Sequence, residues 1–284
     1  QLRQRPPQVP VVQASAAWPA PRTSRTIAMN TGDDGADAAA QSRAVLSDKA
    51  ILRHMSGGTI VIEPFVRANL STSSYDVTLG EHYYREARPE PGHGVYNPYD
   101  EHMVRKVWGE PHVAERVRDW HARNASLAPL VNVAPDERII WIAPGETILA
   151  HTNEFIGGRT RVTTMMKARS SLGRNFIEVC KCAGWGDVGY TSRWTMEITN
   201  NSRYYTIPLV VGRRIAQIVF FETEGIVDKS YEHAGKYQTS DDLDVLRRTW
   251  SPTCMLPKMY RDRDVRAANA PAGAAADAPA GAAA

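Results

Sequence analysis

This sequence has few cysteines, no long apolar run and no large excess of either charge. Only three cysteines occur among 284 residues, too few for a disulfide framework, which indicates a reducing compartment. No stretch approaches the ~18 uncharged apolar residues of a membrane-spanning helix, so we expect a soluble protein without a membrane partner. The 34 basic and 31 acidic residues leave a net charge of +3. This balance argues against general nucleic-acid binding but permits a local phosphate site.

Several sequence signatures of catalysis are also missing. There is no glycine-rich phosphate loop ending in Gly-Lys-Ser/Thr, no Gly-x-Gly-x-x-Gly between a strand and a helix, and no His-Glu-x-x-His. The zinc deaminase signature, His-x-Glu followed by Pro-Cys-x-x-Cys, is absent too. Cys180 and Cys182 lie in an apparent strand with one residue between them, so their thiols should point to opposite faces. We expect both to be small core residues, with no zinc or other metal held by the protein.

The two ends of the chain differ in composition from its middle. Residues 1–28 contain four arginines, five prolines and no acidic residue, a composition typical of an organelle transit peptide, with an over-extended start before Met29 as the alternative. We therefore expect a disordered leader over 1–40, and a cytoplasmic protein unless the leader directs it to an organelle. Residues 246–284 predict a C-terminal extension that ends in a disordered tail rich in Ala, Pro and Gly.

Residues 41–245 predict one mainly β domain with an insertion at about 86–135. Ser47 precedes a short amphipathic segment and predicts the start of a helix at 48–52, and one helix is expected in the insertion, at about 112–123. Short runs rich in Val, Ile, Thr and aromatic residues predict strands at Thr59–Ile62, Tyr75–Leu79, Ile139–Ile142, Thr147–His151, Arg161–Met166, Phe176–Cys182, Arg193–Thr199, Tyr204–Val211 and Ile215–Phe221. Such a series is typical of a sandwich or barrel.

The densest polar cluster is Lys167–Arg174. Arg169 and Arg174 flank Ser170 and Ser171 directly after a predicted strand. If the serines open a short helical turn, backbone N–H groups and both guanidinium groups could face one anion, and guanidinium matches phosphate bidentately. A solvated basic turn is the alternative.

A glycine-rich loop and a strand carry the remaining chemistry. The loop Ala183–Tyr190 permits close approach of the backbone to a ligand, and its Asp187 could accept a hydrogen bond from a sugar hydroxyl or simply cap the turn. In the strand Arg193–Thr199, alternation puts Glu197 on the face away from the apolar side chains. An exposed glutamate is one interpretation; in a partly desolvated site its pKa would rise, which suits a general base near neutrality.

Several fragments in order are similar to the dCTP deaminase branch of the dUTPase superfamily. The resemblance covers about residues 45–238, and its spacing is close from 169 to 217. The fragments are Val45–Lys49, Ile60–Phe65, Ser73–Gly80, Arg169–Arg174, Ala183–Gly189, Thr195–Glu197, Gly212–Gln217 and Lys236–Gln238. The resemblance implies a distorted β-barrel or jelly-roll subunit with a few short helices, in a homotrimer whose active sites are shared between neighbours.

The implied reaction is hydrolytic deamination of dCTP to dUTP and ammonia, with Mg²⁺ on the substrate triphosphate and no zinc. By position, Glu197 resembles the catalytic acid/base, and Ser170 and Arg174 resemble residues that order the water, the base and the phosphates. The backbone of Ala183 would hold the water, and Asp187 would contact the deoxyribose 3′-hydroxyl. The implied nucleotide contacts also include Arg169, Ser171, Thr195, Gln217, Lys236 and Gln238.

The sequence departs from this family at two places and leaves other activities open. Val188 stands where a proline commonly follows the loop aspartate, and Thr239 and Ser240 replace a Gly-Gln pair after Gln238. A bifunctional enzyme that releases dUMP and pyrophosphate is one alternative. A dUTP pyrophosphatase would leave Glu197 without a role, and a catalytically silent nucleotide sensor would need the phosphate site but not this glutamate.

Overall fold

A computed structural model describes residues 45–92, 94–226, 231, 235–238, 240–262 and 265. The predicted leader at 1–40 and the tail beyond 265 lie outside the described residues. Within the described part of the chain, no helix is both long and apolar enough to cross a membrane.

Five short α-helices are described, and strands make up most of the ordered elements. The helices are α1 (Asp48–Ser56), α2 (Glu101–Trp108), α3 (Val117–Arg123), α4 (Ser170–Gly173) and α5 (Leu243–Thr249). The strands are β1 (Ile60–Glu63), β2 (Tyr75–Arg85), β3 (His112–Val113), β4 (Glu115–Arg116), β5 (Arg138–Ile142), β6 (Thr147–Gly158), β7 (Val162–Ala168), β8 (Ile177–Val179), β9 (Trp185–Gly186), β10 (Thr191–Asn200), β11 (Ile207–Val210) and β12 (Arg214–Glu222).

The described strands form two antiparallel sheets. The larger has the order β8-β10-β6-β2-β12-β7-β9, with β1 also paired to β6 and β3 to β2; the smaller has the order β11-β5-β4. Buried side chains from α1 and from the central strands form the main core, among them Ile51, Val77, Ile148, Met196 and Phe220. The predicted mainly β fold is confirmed, and each of the nine predicted runs contains a strand.

Helix α1 forms where its sequence predicted. The Ser47 hydroxyl accepts a hydrogen bond from the Ala50 N–H, which satisfies one of the unpaired donors of the first turn. Ala50 and Ile51 are buried on the face that meets the core, while Lys49 and Arg53 are exposed. The helix continues to Ser56, four residues beyond the predicted segment.

The insertion differs from its prediction. Residues 112–116 are not helical but form the short strands β3 and β4, which pair with β2 and β5; only 117–123 are helical. Helix α2 was not predicted, although Asp100 caps its N-terminus and Gly109 ends it with φ of 62°. The error for β3 and β4 has a physical reason, because strands of two residues are stabilised by their partners and not by local propensity.

The C-terminal extension packs on the insertion and on the large sheet. Tyr84 of β2 and Leu149 of β6 share a second apolar cluster with Val104 of α2 and with Met255 and Leu256 of the extension. Helix α5 runs across the boundary predicted after residue 245. The extension is therefore packed from its first helix to its short 3₁₀ turns at Pro252–Met255 and Met259–Arg261.

The cysteines also differ from prediction. Strand β8 ends before Cys180, whose φ is 62°, so the strand does not continue to Cys182. Cys180 is buried with its thiol against the Met166 sulfur, as expected of a core residue, but Cys182 is exposed. The expectation that both are core residues is wrong for Cys182, because the chain turns away from the sheet between the two.

Gly80 makes room for a buried histidine in the sheet. A Cβ at Gly80 would lie 2.0 Å from Cε1 of His151. The His151 ring is held on both sides, since its Nδ1 donates to Thr152 O and its Nε2 accepts from the His82 N–H. Burial lowers the pKa of His151 to about 4, so the ring is neutral near pH 7.

We expect Gly80→Ala to destabilise the protein by about 1–3 kcal/mol, because neither the strand nor the His151 ring can move aside without losing hydrogen bonds. Urea unfolding measures the change. Gly94→Ala is the matched control, since a Cβ there meets no atom within 4 Å. Equal free energies of unfolding for the two variants would contradict this account.

Candidate active site

A cavity of about 560 Å³ opens beside β10. Its walls come from distant parts of the chain: from α2, from β6, from the glycine-rich loop, from β10 and from the C-terminal extension. The lining residues are Trp108, Thr147, Leu149, Lys181, Ala183, Trp185, Gly186, Asp187, Tyr190, Ser192, Arg193, Trp194, Thr195, Glu197, Tyr231, Tyr237, Cys254, Met255 and Pro257.

Glu197 lies in the middle of β10 and lines this cavity. Its backbone pairs with Leu149 of β6, and its carbonyl accepts from the Cys180 N–H at 2.9 Å. The burial pattern confirms the predicted alternation, since Trp194, Met196 and Ile198 are buried towards the core. Glu197 is not the freely exposed glutamate of the alternative interpretation: burial raises the pKa of its carboxyl, and the nearby Lys181 charge opposes part of that rise.

A carboxyl in this state suits proton transfer. A raised pKa brings the group closer to neutral pH, where it can both accept and return a proton. Structural burial alone can also raise a pKa, but here the side chain lines a cavity large enough to admit a ligand. Thr195, two residues before Glu197 and on the same face of β10, lines the cavity as well.

The glycine-rich loop places Ala183 and Asp187 at the cavity. A Cβ at Gly184 would lie 2.3 Å from Met166 O, and one at Gly186 would lie 2.4 Å from the Thr164 hydroxyl oxygen. These glycines thus permit the loop to pack on β7, which is a different reason from the predicted close approach to a ligand. The Ala183 N–H already donates to Cys180 O at 2.8 Å.

The residues of the predicted anion turn do not line the cavity. The serines do open a short helix, α4, as expected, and Ser171 and Arg174 are exposed. Arg169 lies beside Asp76, with its Nε 3.6 Å from the carboxylate. Arg214 donates to the same carboxylate at 2.9 Å. We call this group, together with Gln217, which opposes Asp76 in the β12–β2 register, the Asp76 cluster.

The segment 235–238 lies against the start of β10. Gln238 is buried; its Oε1 accepts from the Thr191 N–H at 2.6 Å and its Nε2 donates to Gly189 O at 3.0 Å. Lys236 is paired with the Asp262 carboxylate. The amide of Gln238 thus anchors the segment to the sheet. The predicted nucleotide contacts of Lys236 and Gln238 remain predictions.

Of the predicted site residues, the structure brings four together at the cavity: Ala183, Asp187, Thr195 and Glu197. Arg169, Ser170, Ser171, Arg174, Gln217, Lys236 and Gln238 lie elsewhere in this subunit. Sequence reasoning missed Arg193, although the alternation that placed Glu197 on this face also placed Arg193 there. No motif or spacing in the sequence pointed to Trp108 or to the residues of segment 254–257 that reach the cavity, because only long-range packing brings them there.

Comparison with known proteins identifies the family. The model of the family described as dCTP deaminase-like matches residues 45–223. The chain belongs to this family. The resemblance predicted from the sequence is thereby confirmed. The match ends before residue 231, so the cavity wall contributed by Tyr231, Tyr237, Cys254, Met255 and Pro257 lies outside the matched segment.

Curated relatives of this dCTP deaminase-like chain cover about two thirds of it. The dUMP-forming dCTP deaminase of Methanococcus vannielii is 29% identical over 195 residues, which is 66% of this chain and 85% of the relative. The dUMP-forming dCTP deaminase of Sulfurihydrogenibium sp. is 32% identical over 198 residues, 68% of this chain and 91% of the relative.

Solved structures with partial similarity include two enzymes. The 2′-deoxycytidine 5′-triphosphate deaminase of Agrobacterium tumefaciens aligns with a TM-score of 0.45 and 18% identity, over 66% of this chain and 51% of that one. This chain thus spans about half the length of the Agrobacterium protein. The dUTPase of EIAV aligns with a TM-score of 0.28 and 21% identity, over 32% of this chain and 73% of that one.

The candidate site contains no protein ligand set for a metal. Within the described residues, no group of three or more His, Cys, Asp and Glu side chains could hold an ion.

Because the pKa of Glu197 is raised in the folded protein, we expect the free energy of unfolding to depend on pH. Between its ordinary value of 4.5 and the raised value, the folded protein holds a proton that the unfolded chain has lost, so the free energy of unfolding falls as the pH rises through this window. We expect Glu197→Gln to gain stability over the unchanged protein as the pH rises through this window, and to show no such gain below it. Urea unfolding below and above the window measures it; a difference independent of pH would contradict the burial of a charged carboxylate.

Proposed function

We propose that this chain catalyses the hydrolytic deamination of dCTP. The observation that carries the proposal is the Glu197 carboxyl, desolvated at the wall of a nucleotide-sized cavity, at the position that resembles the family's acid/base. Curated relatives named as dCTP deaminases support the choice of substrate. Mg²⁺ would enter on the triphosphate, as part of the substrate.

The proposed chemistry needs one carboxylate and an ordered water. Glu197 takes a proton from the water while the water oxygen bonds to C4 of cytosine, and it delivers that proton to N3 of the ring. It then moves the hydroxyl proton of the tetrahedral carbon to the 4-amino group. The C4–N bond breaks, ammonia leaves and a C4 carbonyl remains, so that dCTP and water give dUTP and ammonia. Such proton transfer typically supplies ~10²–10⁴-fold, and orientation of the water supplies more.

Release of dUMP is the second candidate, because both curated relatives described above are named dUMP-forming. In that form the same site would also hydrolyse the bond between the α- and β-phosphates and release pyrophosphate. The Asp187 carboxylate is exposed at the cavity and would accept a hydrogen bond from a sugar hydroxyl in either form.

A homotrimer with shared sites is the assembly that we propose. Arg174 is exposed on the single subunit, and it and Ser170 are absent from the Glu197 cavity. If the two residues serve the reaction, as the resemblance implies, a neighbouring copy has to bring them to the cavity. In the same arrangement, Arg169 and Gln217 of the Asp76 cluster would contact the phosphates of the nucleotide.

We expect Glu197→Gln to lose at least ~10²-fold in turnover of Mg²⁺-dCTP while retaining nucleotide binding, because the amide keeps the shape of the side chain but accepts no proton. Anion-exchange chromatography of the reaction resolves dCTP, dUTP and dUMP, and calorimetry measures binding. The same chromatogram for the unchanged protein decides between dUTP release and dUMP release.

Glu224→Gln, at an exposed position after β12, is the control and should turn over normally. Equal loss of binding and turnover in Glu197→Gln would make the glutamate structural. Intact dCTP and intact dUTP with the unchanged protein would favour the nucleotide sensor.

We expect two inactive variants to restore each other's activity. When Glu197→Gln and Arg174→Ala are unfolded together and refolded, random trimers contain sites with one intact Glu197 and one intact Arg174 from a neighbour, up to about a quarter of all sites. Assay of the mixture against each variant refolded alone measures the gain. No recovery, with trimers confirmed by light scattering, would show that both residues act within one subunit.

A further inference from the structure

Arg193 has no role in the proposed chemistry, yet its side chain lines the cavity. Its guanidinium carbon lies 5.1 Å from the centre of the Phe155 ring and 4.8 Å from that of Trp250. Trp250 follows α5 and is itself held against His151, with ring centres 4.6 Å apart. The guanidinium is thus fixed between two aromatic rings, one from β6 and one from the C-terminal extension.

Within the described residues, the Arg193 side chain forms no hydrogen bond and no ion pair. Its Nε is buried without a partner. The Glu154 and Glu81 carboxylates act electrostatically on the guanidinium but bond to other groups: Glu154 accepts from the backbone and the hydroxyl of Thr78 at 2.9 and 2.8 Å, and Glu81 pairs with Arg138 at 3.6 Å. A buried guanidinium N–H without a hydrogen-bond acceptor is costly, so its place in a cavity wall points to a ligand that accepts from it.

The position of Arg193 determines which part of a nucleotide it meets. Arg193 and Glu197 lie four residues apart on one face of an extended strand, about 13 Å along it. The separation of the two backbone positions lets their side chains reach different parts of one nucleotide. If Glu197 serves C4 of cytosine, Arg193 can meet the phosphate chain, which is the anionic part of the substrate.

Two lysines lie near the ring of Tyr237, which lines the cavity, although neither lysine lines it. Gln238 accepts a hydrogen bond from the Thr191 N–H, two residues before Arg193, and the nearby Lys236 is paired with the Asp262 carboxylate. Lys258 donates to Lys236 O at 3.1 Å and lies 5.0 Å from the centre of the Tyr237 ring, which lines the cavity.

We propose that Arg193 binds the phosphate chain of the nucleotide and that Trp250, from the C-terminal extension, positions it. The inference rests on the proposed function for the identity of the nucleotide, but not for the binding of phosphate. Guanidinium donates two parallel hydrogen bonds to phosphate oxygens, and stacking between two rings orients that fork before the ligand arrives.

The test compares binding of Mg²⁺-dCTP, deoxycytidine and inorganic triphosphate to the full chain by calorimetry. We expect Arg193→Met to weaken dCTP and triphosphate by about 10–100-fold, the effect of losing hydrogen bonds between charged groups, and to leave deoxycytidine unchanged. In turnover, KM should rise by a similar factor with little change in kcat. Arg248→Met, exposed on α5, is the matched control and should bind all three ligands normally.

Trp250 is tested by a pair of variants. Trp250→Ala should weaken triphosphate binding, and Trp250→Phe, which keeps an aromatic face for the guanidinium, should restore most of it. A purely structural role would lower the melting temperature without this recovery. Arg193→Lys keeps the charge without the planar fork and covers the case in which Arg193→Met fails to fold; it should bind triphosphate more weakly than the unchanged protein.

The two proposals fail in different ways. Unchanged triphosphate affinity in folded Arg193→Met and Arg193→Lys, or an equal loss of deoxycytidine binding, overturns the role of Arg193. If the unchanged protein binds triphosphate through Arg193 but leaves dCTP intact, the proposed deamination is wrong and the phosphate site stands.

Discussion

The antiparallel pairing of β10 with β6 is the constraint on which the candidate site depends. Its register opposes Glu197 to Leu149, and because side chains alternate along a strand, a shift of one residue would turn Glu197 into the core and Met196 towards the cavity. The same pairing buries Leu149 against the C-terminal extension. The register of β10 against β6 thus determines the direction of the Glu197 side chain and also the burial of Leu149 against the C-terminal extension.

Much of the fold could be predicted because its central strands carry their own signal. β10 alternates apolar and polar side chains, and β5 and β12 are rich in Ile and aromatic residues. The insertion could not be predicted in the same way. Its strands β3 and β4 have two residues each, and they pair with strands β2 and β5, which lie between 22 and 31 residues away along the chain.

The residues of the candidate site also divide into those that the sequence could predict and those that it could not. Glu197 and Asp187 could be predicted since spacing and residue type both point to them, and the structure places both at one cavity. Trp108 and Met255 could not, because a tryptophan at the end of a helix and a methionine in a 3₁₀ turn are ordinary core residues until tertiary packing brings them together. Ser170 and Arg174 lie outside the cavity of the single subunit, and their roles remain predictions.

The docking of the C-terminal extension has a consequence for acidity at the cavity. Met255 and Leu256 cover Leu149, the cross-strand neighbour of Glu197, and so help to keep water from the carboxyl. Local opening of such a terminal segment costs less free energy than global unfolding. Each opening would hydrate Glu197, return its acidity towards that of a free glutamate and release Arg193 from Trp250. The protonation state of the cavity is therefore linked to a folding equilibrium of a segment outside the family's matched region.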